Sequence, residues 1–430
     1  MGSSTKADSL YITGLAHEYP PYSFKQDQFE DVLRRLRPDD VTSAGIQKLI
    51  DFNRKTGISS RPTIFDYTTW DKESSIPPPI DELSRLFRTV GVDLTASACR
   101  KAMFEAGVSR EDITHVVAVT CTDTGNPGYD LLVCQSLRLH SGVARTLLHG
   151  VGCAGGLSAL RAAADLAAAA THRGRPARIL VFACELCSLF LRCEVELACR
   201  DSERLHIAPA LFSDAAAAVV VCNGLAVGEM GRPPVFELLE WGSMVVSGTV
   251  ECMSYLTEPN GMIANITKDV PKTAIGAIRP MFDQLRHTLG MTYKHRSWMH
   301  APPSKFDWAI HPGGAAILQG AQRTLHLTDD HIRASLEVYR SYGNSSSPTV
   351  LIVLDKLRQM GEGRDHVVAT SFGPGLAIEM CVMKRFKVLK SSAHHSDQDT
   401  TLFIQHLGCC LAGPEEYQEM RQDLGVGGSR

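Results

Sequence analysis

The run Val151-Gly-Cys-Ala-Gly-Gly156 places a cysteine at the start of a helix. Apolar residues recur at helical spacing just beyond it, through Leu157, Leu160, Ala164 and Leu166. Unpaired backbone N–H groups and the macrodipole at such a start favour an anion, and so draw a thiol toward the nucleophilic thiolate. Gly152, Gly155 and Gly156 let a substrate carbonyl approach the backbone and let the helix pack tightly on a neighbour. Taken alone, the same run fits a small buried structural cysteine equally well, since the chain has 13 cysteines.

On either side of this helix, strands and helices alternate. Residues 81–106 have an amphipathic helical pattern interrupted near Gly91. A strand follows over 115–121, then the Cys153 helix over 154–170 and strands over 178–184 and 215–222. The apolar runs are continuous, as expected of strands covered on both faces. The second half repeats the theme, with a strand at 306–310, helices at 315–325 and 349–360, and strands at 367–371 and 376–383. Two sets of this kind predict a duplicated α/β fold, with residues 1–225 and 226–385 as halves. Residues 386–430 form a polar C-terminal extension.

Bulk properties exclude several functions. A net charge of −3 supplies no basic field for nucleic acid. No apolar run approaches the length of a membrane span, and the N-terminus carries no secretory pattern. The odd, scattered cysteines suggest a reducing cytoplasm rather than a disulfide framework. Cys184, Cys187, Cys193 and Cys199 cluster in sequence, but without partners at zinc-site spacing, so buried or pocket-lining thiols are expected and no metal.

Two further polar residues share the setting of Cys153. His311 ends the strand in Asp307-Trp-Ala-Ile-His-Pro-Gly-Gly314, and Asn344 precedes a helix in Tyr342-Gly-Asn-Ser-Ser-Ser-Pro348. Strand ends beside glycine-rich turns are where an α/β sheet displays side chains into a cleft. A lone histidine or a lone Asn-Ser-Ser is ordinary. Cys, His and Asn together, each at such a junction, point to a thiol nucleophile with two hydrogen-bonding partners.

With these residues the chain resembles the type III polyketide synthases, the chalcone-synthase-like branch of the thiolase fold, over about residues 10–385. The resemblance rests on Gly152-Cys-Ala-Gly-Gly156, Leu211-Phe-Ser-Asp-Ala-Ala-Ala217, Lys268-Asp-Val-Pro271, Ile310-His-Pro-Gly-Gly314, Tyr342-Gly-Asn-Ser-Ser346 and Ser371-Phe-Gly-Pro-Gly-Leu376, in the family's order. It implies a duplicated thiolase fold of αβαβα layers, with a mixed sheet in each half. Cys153 would accept the acyl group, held as a thiolate by His311. His311 and Asn344 would then donate to the thioester carbonyl of malonyl-CoA as CO2 leaves, which is oxyanion-hole stabilisation. The resemblance implies no cofactor beyond the CoA substrates, and a homodimer.

Further roles follow from the same resemblance. Phe212 aligns with the gate between the CoA tunnel and the chamber, although a core aromatic fits the sequence equally well. Ser346, Phe372 and Pro374 shape the chamber, and Gly373 and Gly375 form the turn that presents it. Arg54, Lys55 and Arg61 lie where the family places cations against CoA phosphates, with an exposed helical charge pair as the competing reading. Ala316 would line the pantetheine path.

The departures concern substrate. Ala264 stands where plant members carry a second gatekeeper phenylalanine. Asn126 replaces a methionine that crosses the dimer interface, in a loop about two residues shorter, and Ser371 replaces a glycine. These features are similar to fungal members, which favour medium- or long-chain fatty acyl starters and make alkyl pyrones, alkylresorcinols or alkylresorcylic acids. The alternatives are a ketoacyl-carrier-protein synthase III, a biosynthetic thiolase, a papain-like hydrolase and a non-catalytic acyl-binding thiolase-fold protein. The His-Pro-Gly-Gly and Phe-Gly-Pro-Gly motifs, Cys381 lying beyond the turn where a thiolase needs its second cysteine, the absence of a papain-type N-terminal helix and the retention of all three polar residues argue against them in turn.

Overall fold

The structure is a computed structural model and describes residues 7–386 except His295. Thirteen strands are found among these residues: β1 (Leu10–Glu18), β2 (Tyr22–Lys25), β3 (Ser60–Thr63), β4 (His115–Val119), β5 (Ala144–Leu148), β6 (Arg178–Leu186), β7 (Asp214–Asn223), β8 (Phe236–Val245), β9 (Met253–Glu258), β10 (Gly261–Ile266), β11 (Asp307–Ile310), β12 (His366–Gly373) and β13 (Ala377–Arg385). Nine form one mixed sheet in the order β11-β12-β13-β8-β1-β7-β6-β4-β5. The pairs β2–β3 and β9–β10 are separate two-stranded sheets.

The duplication expected from the sequence is visible in the pairing. From β1 outward, the neighbours β7, β6 and β4 add antiparallel, antiparallel and parallel. From β8 outward, β13, β12 and β11 add in the same three senses. The two sets meet where Leu10–Ile12 pairs antiparallel with Phe236–Leu238. One sheet therefore runs through the expected boundary at 225, and the chain up to Phe386 forms a single compact unit rather than two bodies. The expected extension beyond it, residues 387–430, lies outside the described residues.

Local chemistry explains the elements that position the site. β6 and β7 are buried along almost their whole length, which is why their sequences are continuously apolar. The helical stretch 80–106 is continuous, but a π-helical turn at Phe87–Gly91 replaces the expected break. The helix Val92–Ala106 lies so close to β1 that a Cβ on Gly14 would sit 2.0 Å from the Ala102 carbonyl oxygen.

Two helices, Gly155–His172 and Thr349–Gln359, pack together under the sheet. Leu157, Leu160, Ala163 and Ala167 of the first share a core with Val350, Leu351, Val353, Leu354 and Leu357 of the second. Each fully buried leucine there contributes about 1.5–3 kcal/mol. Small residues on the first helix set the spacing. A Cβ on Gly156 would lie 2.4 Å from the Ser347 carbonyl oxygen, so this glycine is required for the close approach.

Candidate active site

Cys153 lies in a 3-10 turn, Gly152–Ala154, that leads into the helix Gly155–His172. Gly152 takes φ +45° beneath the ring of Pro374, with 2.6 Å from its ideal Cβ to the proline Cδ. Neither a side chain nor a different backbone shape fits there. Gly373 packs as tightly from the other side, where a Cβ on it would lie 2.4 Å from the Val151 carbonyl oxygen, and Gly375 at φ +67° completes the turn. The nucleophile turn and the Gly-Pro-Gly turn are thus wedged against each other.

His311 continues the register of β11, its N–H donating to the Thr370 carbonyl at 2.8 Å. Asn344 is held by an isolated parallel bridge to Phe212: its N–H donates to the Leu211 carbonyl at 3.0 Å, and its own carbonyl accepts from Ser213 N–H at 2.9 Å. The Asn344 Oδ1 accepts the Ser346 N–H at 2.8 Å, which orients the carboxamide with its NH2 group free to donate. Three chain-remote segments are brought together. Cys153, His311 and Asn344 line one cavity of about 950 Å3, with Phe212, Ala264 and Phe372 on its walls.

The electrostatics differ from the expectation of a lowered thiol. Burial pushes the Cys153 thiol up to about 11, against hydrogen bonds from Ser346 and Asn344 and with the Glu185 carboxyl adding to the rise. Burial likewise pushes His311 down to about 3. Burial therefore outweighs the helix start. The thiol donates to Ser346 Oγ at 3.4 Å, and neither nitrogen of His311 has a hydrogen-bond partner. Each group charged alone is disfavoured. A proton passed from sulfur to imidazole makes both charges at once in the same cavity, where they attract.

The other expected residues divide. Phe212, Cys153 and Ala264 also border a second, smaller cavity with Ser346, Pro374, Cys121, Cys187, Met253, Tyr255 and Ile266. Lys55 and Ala316 line the main cavity. Arg61 does not, which corrects its expected phosphate role. It is buried over the rings of Phe24 and Phe29, donating to Gln26 Oε1 at 2.9 Å and to the carbonyls of Pro209 and Phe212 at 2.6 and 2.9 Å. Arg54 is also absent from the cavity wall and pairs with Glu30 and Asp51, the competing charge-pair reading. Asn126 is exposed and borders neither cavity.

Several residues near the site were not singled out from sequence. Glu185 is wholly buried at the end of β6. Its carboxyl accepts from Thr120 Oγ1 (3.1 Å), Cys121 N–H (3.0 Å), Thr122 Oγ1 (2.8 Å) and Ser347 Oγ (2.5 Å), tying the loop after β4 to the segment before the Asn344 helix. The one acidic residue in the apolar run 179–186 was the available signal. Exposed Arg204 and Lys268 join Lys55 on the outer lining of the main cavity; Lys268 opens a family motif but is given no role there, and nothing in the local sequence marks Arg204.

Comparison with known proteins agrees with this arrangement. Residues 7–224 match the N-terminal domain and residues 243–387 the C-terminal domain of the chalcone and stilbene synthases. The type III polyketide synthase pspB of Penicillium soppii is 47% identical over 388 residues, covering 88% of this chain and 97% of the relative. The acylalkylpyrone synthase csyB of Aspergillus oryzae is 33% identical, covering 88% and 94%. A solved type III pentaketide synthase from Neurospora crassa superposes with a TM-score of 0.81 at 39% identity, covering 88% of this chain and all of that one. The fold and the site define a cysteine-centred condensing enzyme of the thiolase type. More particularly, the chain belongs to the chalcone and stilbene synthase family, the type III polyketide synthases. It is an acyltransferase acting by decarboxylative Claisen condensation on CoA thioesters. No described helix is long and apolar enough to cross a membrane.

Proposed function

We propose that this enzyme loads a medium- or long-chain fatty acyl group from CoA onto Cys153 and extends it by two or three malonyl units. It then cyclises the chain to an alkyl pyrone, alkylresorcinol or alkylresorcylic acid. The Cys153 sulfur passes its proton to His311 and attacks the acyl-CoA carbonyl, and the CoA thiolate leaves with that proton. His311 and the Asn344 NH2 then donate to the thioester oxygen of malonyl-CoA. The enolate left by CO2 forms in this hole and attacks the Cys153-bound acyl carbon. The sulfur is released, and the lengthened chain returns to it for the next round. Decarboxylation supplies the carbanion, so the scheme draws on no metal, flavin or nicotinamide.

The observation that carries the aliphatic starter is the character of the cavity. Polar groups cluster at the sulfur and at the outer lining, and between them Phe212, Met253, Ile263, Ala264, Ile266 and Phe372 supply an apolar wall. Alanine at position 264 leaves room on that wall, and the csyB relative is named for an acylalkylpyrone product. Lys55, Arg204 and Lys268 suit the phosphates of CoA. A cytoplasmic homodimer belongs to the same proposal, with Asn126 at its interface, and sedimentation tests the dimer.

The test is incubation with malonyl-CoA and saturated acyl-CoA starters of graded length, with products read by mass. Each methylene buried is worth about 0.8 kcal/mol, or about fourfold in kcat/KM, until the chamber is full. A series that peaks at short or aromatic starters would refute the aliphatic reading. Absence of polyketide and of CO2 from every starter would refute the roles given to these residues.

A further inference from the structure

We infer that Glu194 is a positioning residue that holds the chamber wall carried by β10, and thereby governs the acyl length the enzyme accepts. The inference rests on the proposed role of the Ala264 region as chamber wall. Glu194 lies on the helix Leu191–Arg200 and is 3% exposed. Its Oε1 accepts the Ala264 N–H at 2.6 Å, while its Oε2 is buried without a partner.

The surroundings show why this one bond matters. Among the described residues β10 pairs only with β9, in a two-stranded sheet, and Ala264 stands opposite Tyr255. With no third strand beside β10, an outward amide needs an acceptor from elsewhere, and Glu194 supplies it. The preceding residue, Cys193, packs against the same strand: its thiol donates to the Phe190 carbonyl at 3.0 Å and lies 3.7 Å from the Met262 carbonyl oxygen, and a Cβ on Gly261 would lie 2.5 Å from its sulfur. The strand so held contributes Ile263, Ala264, Asn265 and Ile266 to the main cavity, and Ala264 and Ile266 also to the smaller one.

Stability alone is a poor account of a carboxyl here. Burial pushes Glu194 up to about 8, and no cation compensates it. One oxygen has no hydrogen-bond partner among the described residues, and Glu194 borders a small void with Arg61, Tyr67, Phe190, Phe212 and Tyr255. What the side chain contributes is an acceptor of fixed reach toward a single backbone amide of the wall.

Four variants test this with the full-length enzyme, malonyl-CoA and a graded series of saturated acyl-CoA starters. Glu194→Gln keeps an amide oxygen for Ala264, Glu194→Met keeps volume without an acceptor, and Ala264→Phe fills the wall directly. Glu194→Ala repeats the Met measurement if the thioether does not allow folding. The expected result is a change of at least threefold in the ratio of long- to short-starter kcat/KM for Met or Ala, restored to within twofold of wild type by Gln. Loading of Cys153 by a short acyl-CoA, read by intact-protein mass, stays within twofold in the Glu194 variants. An unchanged ratio in the Met and Ala variants overturns the inference, as does a Gln variant as altered as Met. If Ala264→Phe shifts the ratio and the Glu194 variants do not, only Glu194 is wrongly assigned. If Ala264→Phe also leaves it unchanged, the wall reading falls with it.

Discussion

The two halves of the large sheet share the pairing of four strands and differ in how they treat the loop that leaves β4 in one and β11 in the other. In the first half, β4 ends at Val119, level with Ala183 of β6, and two residues further on β6 carries Glu185. That carboxyl binds the hydroxyls and amide of Thr120, Cys121 and Thr122. In the second half, β11 ends at Ile310, level with Thr370 of β12, and two residues further on β12 carries Phe372. The residue after Ile310 is His311, and its imidazole has no hydrogen-bond partner among the described residues. Equivalent positions are thus satisfied in one half and left open in the other. The helices that follow show the same division, with a thiol before one and a carboxamide before the other. Duplication supplies two facing helix starts, and reactivity comes from breaking their equivalence.

The comparison can be broken most severely at the sulfur. Cys153→Ala is expected to lose more than about 1,000-fold in product formation, because no other group takes the acyl chain. Asn344→Ala, on the opposite helix start, removes one oxyanion donor and is expected to lose about 100-fold in malonyl-CoA decarboxylation. Equal losses in both assays for both variants would contradict this division of labour.

The open imidazole gives a pH test of smaller size. Thiolate reacts with iodoacetamide and thiol does not, so alkylation rises with pH through the thiol's titration. Paired with His311, Cys153 is expected to react in a plateau at neutral pH that falls on the acid side. In His311→Gln the thiol has no base, and burial places it near 11. Its rate should then climb about tenfold per pH unit through pH 10 and lie more than about tenfold below wild type at pH 7. Identical profiles would show that His311 does not govern the sulfur.

Importing the second half's solution into the first is a stability test. Glu185→Leu strands the Thr120, Thr122 and Ser347 hydroxyls and the Cys121 amide, and is expected to cost roughly 3 kcal/mol in urea unfolding. A loss below about 1 kcal/mol would mean that water replaces the carboxyl. The smallest effect is expected at the contact between the halves. Gly156→Ala forces the two helices apart at Ser347, costing about 1–3 kcal/mol and lowering Tm by a few degrees.

Much of this was legible in the sequence, for identifiable reasons. Cys153 and Asn344 each sit beside glycines that close packing or a left-handed backbone requires, and those glycines are visible in the chain; Gly313 and Gly314 beside His311 mark the strand end without such crowding. The buried strands β4, β6, β7, β12 and β13 are visible because both of their faces are covered. The central strand β1 was not picked out, because Gly14, which lets a helix approach, interrupts its pattern. Arg61 misled for a related reason: a guanidinium buried over two phenylalanines has the same letter as one that meets a phosphate. Glu194 and Arg204 have roles set by neighbours far away in sequence, and no local pattern encodes such neighbours.

The β9–β10 hairpin lies outside the nine-stranded sheet, yet it supplies part of the wall around the reactive sulfur. On the proposed reading, chemistry and selectivity are mounted on separate mechanical parts. A lineage built on that reading is free to retune which starters it elongates by altering one short ribbon and the helix that grips it, while the frame holding Cys153, His311 and Asn344 stays untouched.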